Sequence, residues 1–62
     1  MNINVGDIVR YEKGKYGLVV KYEYVNNEED LMHVIFFHKP QTTYHFYLNA
    51  SMKSCWIKVD LN

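Results

Sequence analysis

Cysteine, proline and glycine are scarce in this sequence, and each shortage narrows what the chain can be. Its single cysteine, Cys55, excludes a disulfide within the chain and predicts a reducing compartment, which we take to be the cytoplasm. No catalytic cysteine signature surrounds Cys55, so we expect a small buried side chain there. With one proline and three glycines, the sequence has no low-complexity tract or linker.

Long apolar runs and a surplus of charge are also lacking. No run approaches the roughly 20 residues that a membrane helix requires, and residues 1–4 lack the features of a secretory signal, so we expect no membrane partner. Seven basic and seven acidic residues cancel. A nucleic-acid-binding protein usually carries a basic surplus, because phosphate neutralisation dominates its affinity.

No residue pattern in the chain specifies a reaction. Neither a Ser-His-Asp nor a Cys-His signature is present, the glycines lack the spacing of a phosphate-binding loop, and Asp7 is interpreted as hydrogen-bonding its own turn. His33 and His38 lie five positions apart on one predicted strand and face opposite sides, so only one of them can join His45. No further ligand completes a zinc set. We therefore predict no enzyme activity, no cofactor and no metal.

Alternating apolar and polar side chains predict two strands within residues 5–25. The first covers residues 8–11, and Gly14, which tolerates positive φ, lies in the charged loop that follows. Gly17, at the start of the second strand, indicates a bulge or a close approach of another backbone. The second strand is expected to place four residues on one face: Leu18, Val20, Tyr22 and Tyr24.

Residues 31–38 are the most apolar run of the chain. Both faces of this segment are apolar in its middle, which is typical of a central strand. We expect Val34 and Phe36 to point inward. Ile35 and Phe37 then need cover from the folded chain or from a second subunit, because an exposed apolar patch on so small a protein indicates an interaction site.

The remaining segments complete an all-β pattern. Residues 26–30 are acidic and are expected to form a solvated hairpin tip, and residues 44–48 form a fourth strand. Residues 49–53 predict one short 3₁₀ turn capped by Asn49, and residues 54–59 form the last strand. The 62 residues therefore predict a single domain, residues 1–62, with five antiparallel strands.

The first third of the chain resembles the opening of SH3-like small barrels, including KOW-type modules. The resemblance lies in Gly6-Asp7-Ile8-Val9-Arg10, in Gly14, and in Gly17-Leu18-Val19-Val20, which match a "GD-x-V" strand, a loop and a "G-x-V" strand. The size and style of the chain are also similar to those of small phage-encoded SH3-like proteins. The resemblance implies a five-stranded SH3-like barrel with a short 3₁₀ turn before its last strand, and a binding role, in a phage protein directed at a host protein.

Aromatic residues make up 16% of the chain and lead to the first functional prediction. Tyrosine and tryptophan offer a large contact area at low entropic cost and are enriched in binding hot spots. We predict a groove that docks a protein partner, lined by Tyr11, Tyr16, Tyr44, Tyr47 and Trp56. An alternative interpretation of Trp56 is that it caps the open end of the barrel.

Two other functions stay open at this point. In one, the basic hairpin of residues 10–21 binds nucleic acid, with cations along the phosphates and an aromatic ring stacked on a base: Arg10, Lys13, Lys15, Tyr16 and Lys21. In the other, the protein is structural and self-associates into a homo-oligomer through Ile35 and Phe37 or through a sheet edge.

Overall fold

Five strands and one short helix make up the fold. The computed structural model describes residues 3–12 and 14–59. In chain order, the elements are β1 (Ile8–Tyr11), β2 (Tyr16–Tyr24), β3 (Asp30–Phe36), β4 (Thr43–Leu48), α1 (Ala50–Lys53) and β5 (Trp56–Lys58). The prediction of an all-β fold with five antiparallel strands is confirmed. In these ranges no helix has the length and apolar character needed to cross a membrane.

The predicted turn before the last strand is present, but it is one turn of α-helix and not a 3₁₀ turn. Asn49 caps it as expected, because the Asn49 side-chain oxygen accepts a hydrogen bond of 2.9 Å from the backbone N–H of Met52. The Asn49 carbonyl oxygen accepts from the Lys53 N–H at 3.0 Å, which is the spacing of an α-helix.

The strands form one antiparallel sheet in the order β4-β3-β2-β1-β5. β4 and β5 are its two end strands, and within the described residues no hydrogen-bonded pairing joins them, so the sheet is not closed into a barrel. Their side chains nevertheless meet across the core, since the ring centroids of Phe46 in β4 and Trp56 in β5 are 4.9 Å apart. The sheet is therefore curved enough to bring its ends together through aromatic contacts.

The core lies on the inner, concave face of this sheet. β3 alternates buried and half-buried residues along its whole length, and the predicted inward orientation of Val34 and Phe36 is confirmed. Tyr11, Tyr22, Tyr44, Phe46 and Cys55 pack against the buried cluster from its margins. The buried apolar residues come from the N-terminal segment and from all five strands: Ile3, Val9, Val19, Met32, Val34, Phe36, Leu48 and Trp56.

A β-bulge in β2 overturns the predicted alternation of that strand. Val19 pairs with Val34, whereas Lys21 pairs with His33, so Val20 is an extra residue with no partner in β3. The extra residue reverses the side-chain alternation. Val19 is buried before the bulge, Val20 is exposed, and Tyr22 packs against the core after it. The prediction of a single face for four residues of β2 is therefore wrong: Leu18, Val20, Tyr22 and Tyr24.

Asp30 also differs from its prediction. It is the first residue of β3 and only 4% exposed, so it is not part of a solvated hairpin tip. The Tyr22 hydroxyl donates a hydrogen bond of 2.6 Å to Asp30 Oδ2, and Lys53 Nζ lies 3.0 Å from the same oxygen. These contacts connect β2, β3 and α1. The Tyr22 hydrogen bond, helped by the Lys53 ammonium, lowers the pKa of Asp30, although burial opposes this.

The Asp30 contacts predict a stability that falls in acid. Because the folded-state pKa of Asp30 lies below its ordinary value of about 3.9, ionised Asp30 contributes stability above roughly pH 4. That contribution is lost as the pH falls through the lowered pKa. We expect Asp30→Ala to reduce the free energy of unfolding at neutral pH by about 1–2 kcal/mol, since Tyr22 loses its charged acceptor while Lys53 stays half exposed.

Urea unfolding of both proteins from neutral pH to strong acid, followed by circular dichroism, measures this effect. The two stabilities should converge at low pH. A Glu28→Gln variant, which removes an exposed carboxylate in the neighbouring loop, is the control and should leave stability unchanged. An Asp30→Ala loss that stays constant down to the lowest pH would contradict the assignment to the ionised carboxylate.

Candidate functional site

A groove of about 340 Å³ opens at the end of the sheet where β1 and β3 end and β4 begins. Its volume is at the lower limit for small-molecule sites, which span about 300–1,000 Å³. Its lining combines aromatic rings with basic side chains, and we call it the aromatic groove: Tyr11, Lys15, Phe36, His38, Lys39, Tyr44 and Phe46.

Strand alternation places the aromatic rings of the groove on the inner face. Tyr44 and Phe46 are two residues apart on β4 and so share a face with each other. Phe36 lies between them and β1, with ring centroids 5.5 Å from Tyr44 and 6.0 Å from Phe46 in edge-to-face contacts. Tyr11 packs edge-on against Trp56 at 4.8 Å. Because each ring is held by its neighbours, the floor of the groove is pre-formed.

Two loops carry the basic residues of the groove. In the first, Gly14 has φ of +86°, and the Gly14 N–H donates to the Tyr11 carbonyl at 2.8 Å. The Tyr11 N–H in turn donates to the Lys15 carbonyl at 2.8 Å, which closes the loop and fixes the Lys15 backbone. In the second, the Lys39 N–H donates to the Phe36 carbonyl at 3.0 Å. Both lysines are therefore attached to ordered turns that border the groove.

A second recess of about 430 Å³ adjoins the aromatic groove, and we call it the outer ledge. It shares Lys15 and His38 with the groove and adds two exposed rings, Tyr16 and Phe37, the latter 55% exposed. The Phe37 N–H donates to the Tyr16 carbonyl at 3.0 Å, and this hydrogen bond holds the backbones of the two residues side by side. Groove and ledge thus form one continuous surface with Lys15 and His38 at their junction.

The basic side chains of this surface are not neutralised by carboxylates of the described chain. Neither recess has an aspartate or glutamate in its lining, and neither Lys15 nor Lys39 takes part in an ion pair within residues 3–12 and 14–59. The lysines that do have carboxylate partners lie elsewhere, in the pairs Lys21–Glu23 at 3.3 Å, Lys53–Asp30 at 3.0 Å and Lys58–Asp7 at 3.4 Å.

The structure brings together only part of the predicted partner-binding set. Tyr11 and Tyr44 line the aromatic groove, and Tyr16 lies in the adjoining outer ledge. Tyr47 is 58% exposed, but on the other face of β4, away from the groove. Trp56 is 2% exposed and belongs to the core, and it lines neither the aromatic groove nor the outer ledge but a separate recess beside α1.

Sequence reasoning missed the residues that complete the groove. Phe36 points inward, as expected. Because it is the last residue of β3, its ring also borders the groove. Phe46 shares the face of Tyr44, so alternation on β4 was a usable signal for it. Lys39 precedes Pro40 in a loop, and nothing in the local sequence indicates that this loop borders an opening.

The structure also brings together only some of the residues predicted to bind nucleic acid in the alternative function. Arg10 lies directly opposite Tyr16 in the β1–β2 pairing, and Lys15 is adjacent to that pair. Lys21 forms an exposed ion pair with Glu23 at 3.3 Å. Lys13 lies outside the described residues. Three of the five residues are therefore close together.

Only one of His33 and His38 lies beside His45, as expected, although His38 is in a turn after β3 and not on that strand. His33 and His45 face each other across β3 and β4 with ring centroids 4.2 Å apart, whereas His38 lies in the aromatic groove. Glu23 Oε2 lies 3.6 Å from His33 Nε2, which has no hydrogen-bond partner. Among the described residues, no three histidine, cysteine, aspartate or glutamate side chains are grouped to hold a metal ion.

Two further residues bear on catalysis. The Asp7 carboxylate accepts a hydrogen bond of 2.7 Å from the Asn4 N–H, so it binds its own turn as predicted. Cys55 is half-buried and packs against the core.

In comparisons with known proteins, the chain matches no protein-family model, no curated protein and no solved structure.

Proposed function

We propose that this chain is a small non-enzymatic binding module that docks a segment of a protein partner in the aromatic groove. The observation that carries the proposal is a pre-formed cluster of rings, Tyr11, Phe36, Tyr44 and Phe46, that borders an opening. Apolar rings at an opening gain free energy when a partner covers them.

The dimensions of the groove favour a protein segment over a cofactor. A volume near 340 Å³ takes one or two side chains, while the outer ledge extends the contact with Tyr16 and Phe37. Rings that are already held by their neighbours lose little conformational entropy on binding, which raises affinity for a given contact area. Aromatic side chains of this kind are the usual hot spots of protein interfaces.

We further propose that the fold is an SH3-like barrel with a KOW-like first hairpin and that the protein acts in the cytoplasm. Support comes from β1 lying between β2 and β5, and from the helical turn that precedes β5. The single cysteine, without a disulfide, supports the compartment. If the similarity to small phage-encoded SH3-like proteins extends to function, the partner is a host protein.

Replacing Tyr44 by alanine tests the proposal, with Tyr47→Ala as a matched control. Both variants remove a tyrosine from β4, but Tyr44 lines the groove and Tyr47 is on the other face. We expect Tyr44→Ala to weaken binding of a captured partner roughly 30-fold, the effect of losing a hot spot of about 2 kcal/mol. Tyr47→Ala should bind like the wild type.

Affinity capture from a nuclease-treated lysate identifies the partner, and calorimetry with the purified partner measures both variants. Circular dichroism confirms that each variant folds. Equal affinities for Tyr44→Ala and wild type would refute groove binding. Loss of capture on nuclease treatment would instead favour nucleic acid at Arg10, Lys15 and Tyr16. Sedimentation at several concentrations detects self-association through Phe37 and Ile35, the third function.

A further inference from the structure

We infer that the segment bound in the aromatic groove is acidic: a stretch of protein rich in aspartate or glutamate that inserts one apolar side chain between the rings. This inference rests on the proposed function and adds the chemistry of the partner. It follows from the basic side chains that line the groove and from the positions of the carboxylates elsewhere in the chain.

The surface around the groove is basic, although the chain as a whole has zero net charge. Lys15, His38 and Lys39 line the groove, and no carboxylate of the described residues does. Glu28 and Glu29 lie in the loop at the opposite ends of β2 and β3, whereas Glu12, the residue after β1, is at the groove end of that strand but does not line the groove. Charges of one sign therefore remain without partners where the apolar rings are accessible.

Unpaired lysines beside an apolar floor favour a carboxylate ligand. A low-dielectric wall strengthens the attraction between an ammonium group and a bound carboxylate. The lysine backbones are held by hydrogen-bonded turns, so the charges stay near the groove before a partner arrives. Carboxylates on the partner then set its orientation while its apolar side chain enters the floor.

A polypeptide fits this surface better than a nucleic acid does. Nucleic-acid affinity depends on several phosphate contacts along a backbone, but only two lysines and one histidine line the groove. Lys21, which would extend such a track, is held by Glu23. A long polyanion would also approach Glu28 and Glu29 at the other end of the sheet, whereas a short acidic segment would not.

Selection from a randomised display library of peptides tests the inference. The wild-type chain is the bait, and the affinity of each selected peptide is then measured for both the wild type and Tyr44→Ala. We expect peptides with aspartate or glutamate flanking one aromatic or aliphatic residue. A synthetic copy with every acidic residue changed to its amide should bind at least tenfold more weakly in moderate salt.

Charge variants of the chain locate the effect. Lys15→Gln combined with Lys39→Gln should reduce the preference of the chain for the acidic over the amide peptide to less than threefold. Lys21→Gln, which neutralises a lysine outside both recesses, should keep that preference unchanged. All three substituted side chains are exposed, so folding is retained.

Each outcome separates the two proposals. Selected peptides that need Tyr44 but are neutral or basic overturn the acidic partner and leave groove binding intact. Peptides that bind Tyr44→Ala as well as the wild type overturn groove binding itself, and the acidic partner falls with it. A single-stranded oligonucleotide that binds more tightly than the acidic peptide, and loses affinity in the Lys15 and Lys39 variant, overturns the inference in favour of nucleic acid.

Discussion

Trp56→Ala is expected to abolish cooperative folding. The Trp56 ring is 2% exposed and lies 4.9 Å from the Phe46 ring and 4.8 Å from the Tyr11 ring, so it joins the two end strands of the sheet through the core. Removing so large a buried ring costs about 3–5 kcal/mol. A chain of this length has roughly 3–9 kcal/mol of total stability, so in the lower half of that range the loss leaves little or no stability.

Far-ultraviolet circular dichroism during heating measures the loss, since the variant has no tryptophan fluorescence. Trp56→Phe is the control. Trp56 Nε1 has no hydrogen-bond partner among the described residues, so phenylalanine removes ring volume without breaking a polar contact. It should keep a cooperative transition at a moderately lower temperature. A sharp transition near the wild-type temperature in Trp56→Ala would show that the end strands do not depend on this ring.

Gly17→Val should be nearly as damaging, for the opposite reason. A Cβ atom at position 17 would lie 2.5 Å from Val34 Cγ1, 3.0 Å from the Ile35 carbonyl oxygen and 3.1 Å from Phe36 Cδ1. Val34 is fully buried and cannot move aside. Overpacking by a single side chain usually costs about 1–3 kcal/mol. Here one of the three close atoms belongs to the backbone. We therefore expect Gly17→Val to lower the free energy of unfolding by about 3 kcal/mol or more.

A double-mutant cycle tests the cause. Gly17→Ala introduces the Cβ alone, and Val34→Ala removes the methyl group that it would meet first. The two changes together should cost clearly less in free energy of unfolding than the sum of the separate changes, because the cavity left by Val34 accepts the new atom. Chemical denaturation of the four proteins provides the measurement. Additive costs would mean that the close approach at Gly17 is not what excludes a side chain.

Local periodicity was enough to predict the strands and the reason for Gly17. Every strand overlaps a segment that the sequence predicted as extended, and β3, which was predicted from a continuous apolar run, turns Val34 and Phe36 inward as expected. The close approach at Gly17 was anticipated because a glycine inside a strand leaves room for a neighbour. Asn49 capped its turn as expected, since an asparagine side chain satisfies a free backbone N–H.

What the sequence could not supply depends on contacts between distant segments. The bulge at Val20 changes the register of β2 against β3, and no local residue type marks it. Trp56 and Ile57 are neighbours in β5 and so lie on opposite faces, but the choice of the buried face follows from Phe46 and Tyr11, which are far away in the chain. Asp30 is buried because Tyr22 and Lys53 bind its carboxylate, contacts that only the folded chain creates.

Only some of the residues that line the aromatic groove were named from the sequence. Tyr11 and Tyr44 were named from aromatic content, and both line the groove. Phe36 and Phe46 were missed as site residues because an inward-facing ring at a strand end can be either core or groove. That distinction depends on how the strand ends meet, which alternation along one strand does not encode.

The separation of basic groove and acidic loop gives this electrically neutral molecule a dipole moment. Two copies that approach with their basic ends facing each other repel, whereas in the field of a negatively charged partner this protein experiences a torque that turns its basic end toward that partner before contact. Such alignment is effective only within about 8 Å at physiological ionic strength. Collision rates with an acidic partner should therefore decline as salt is added, even though the net charge is zero.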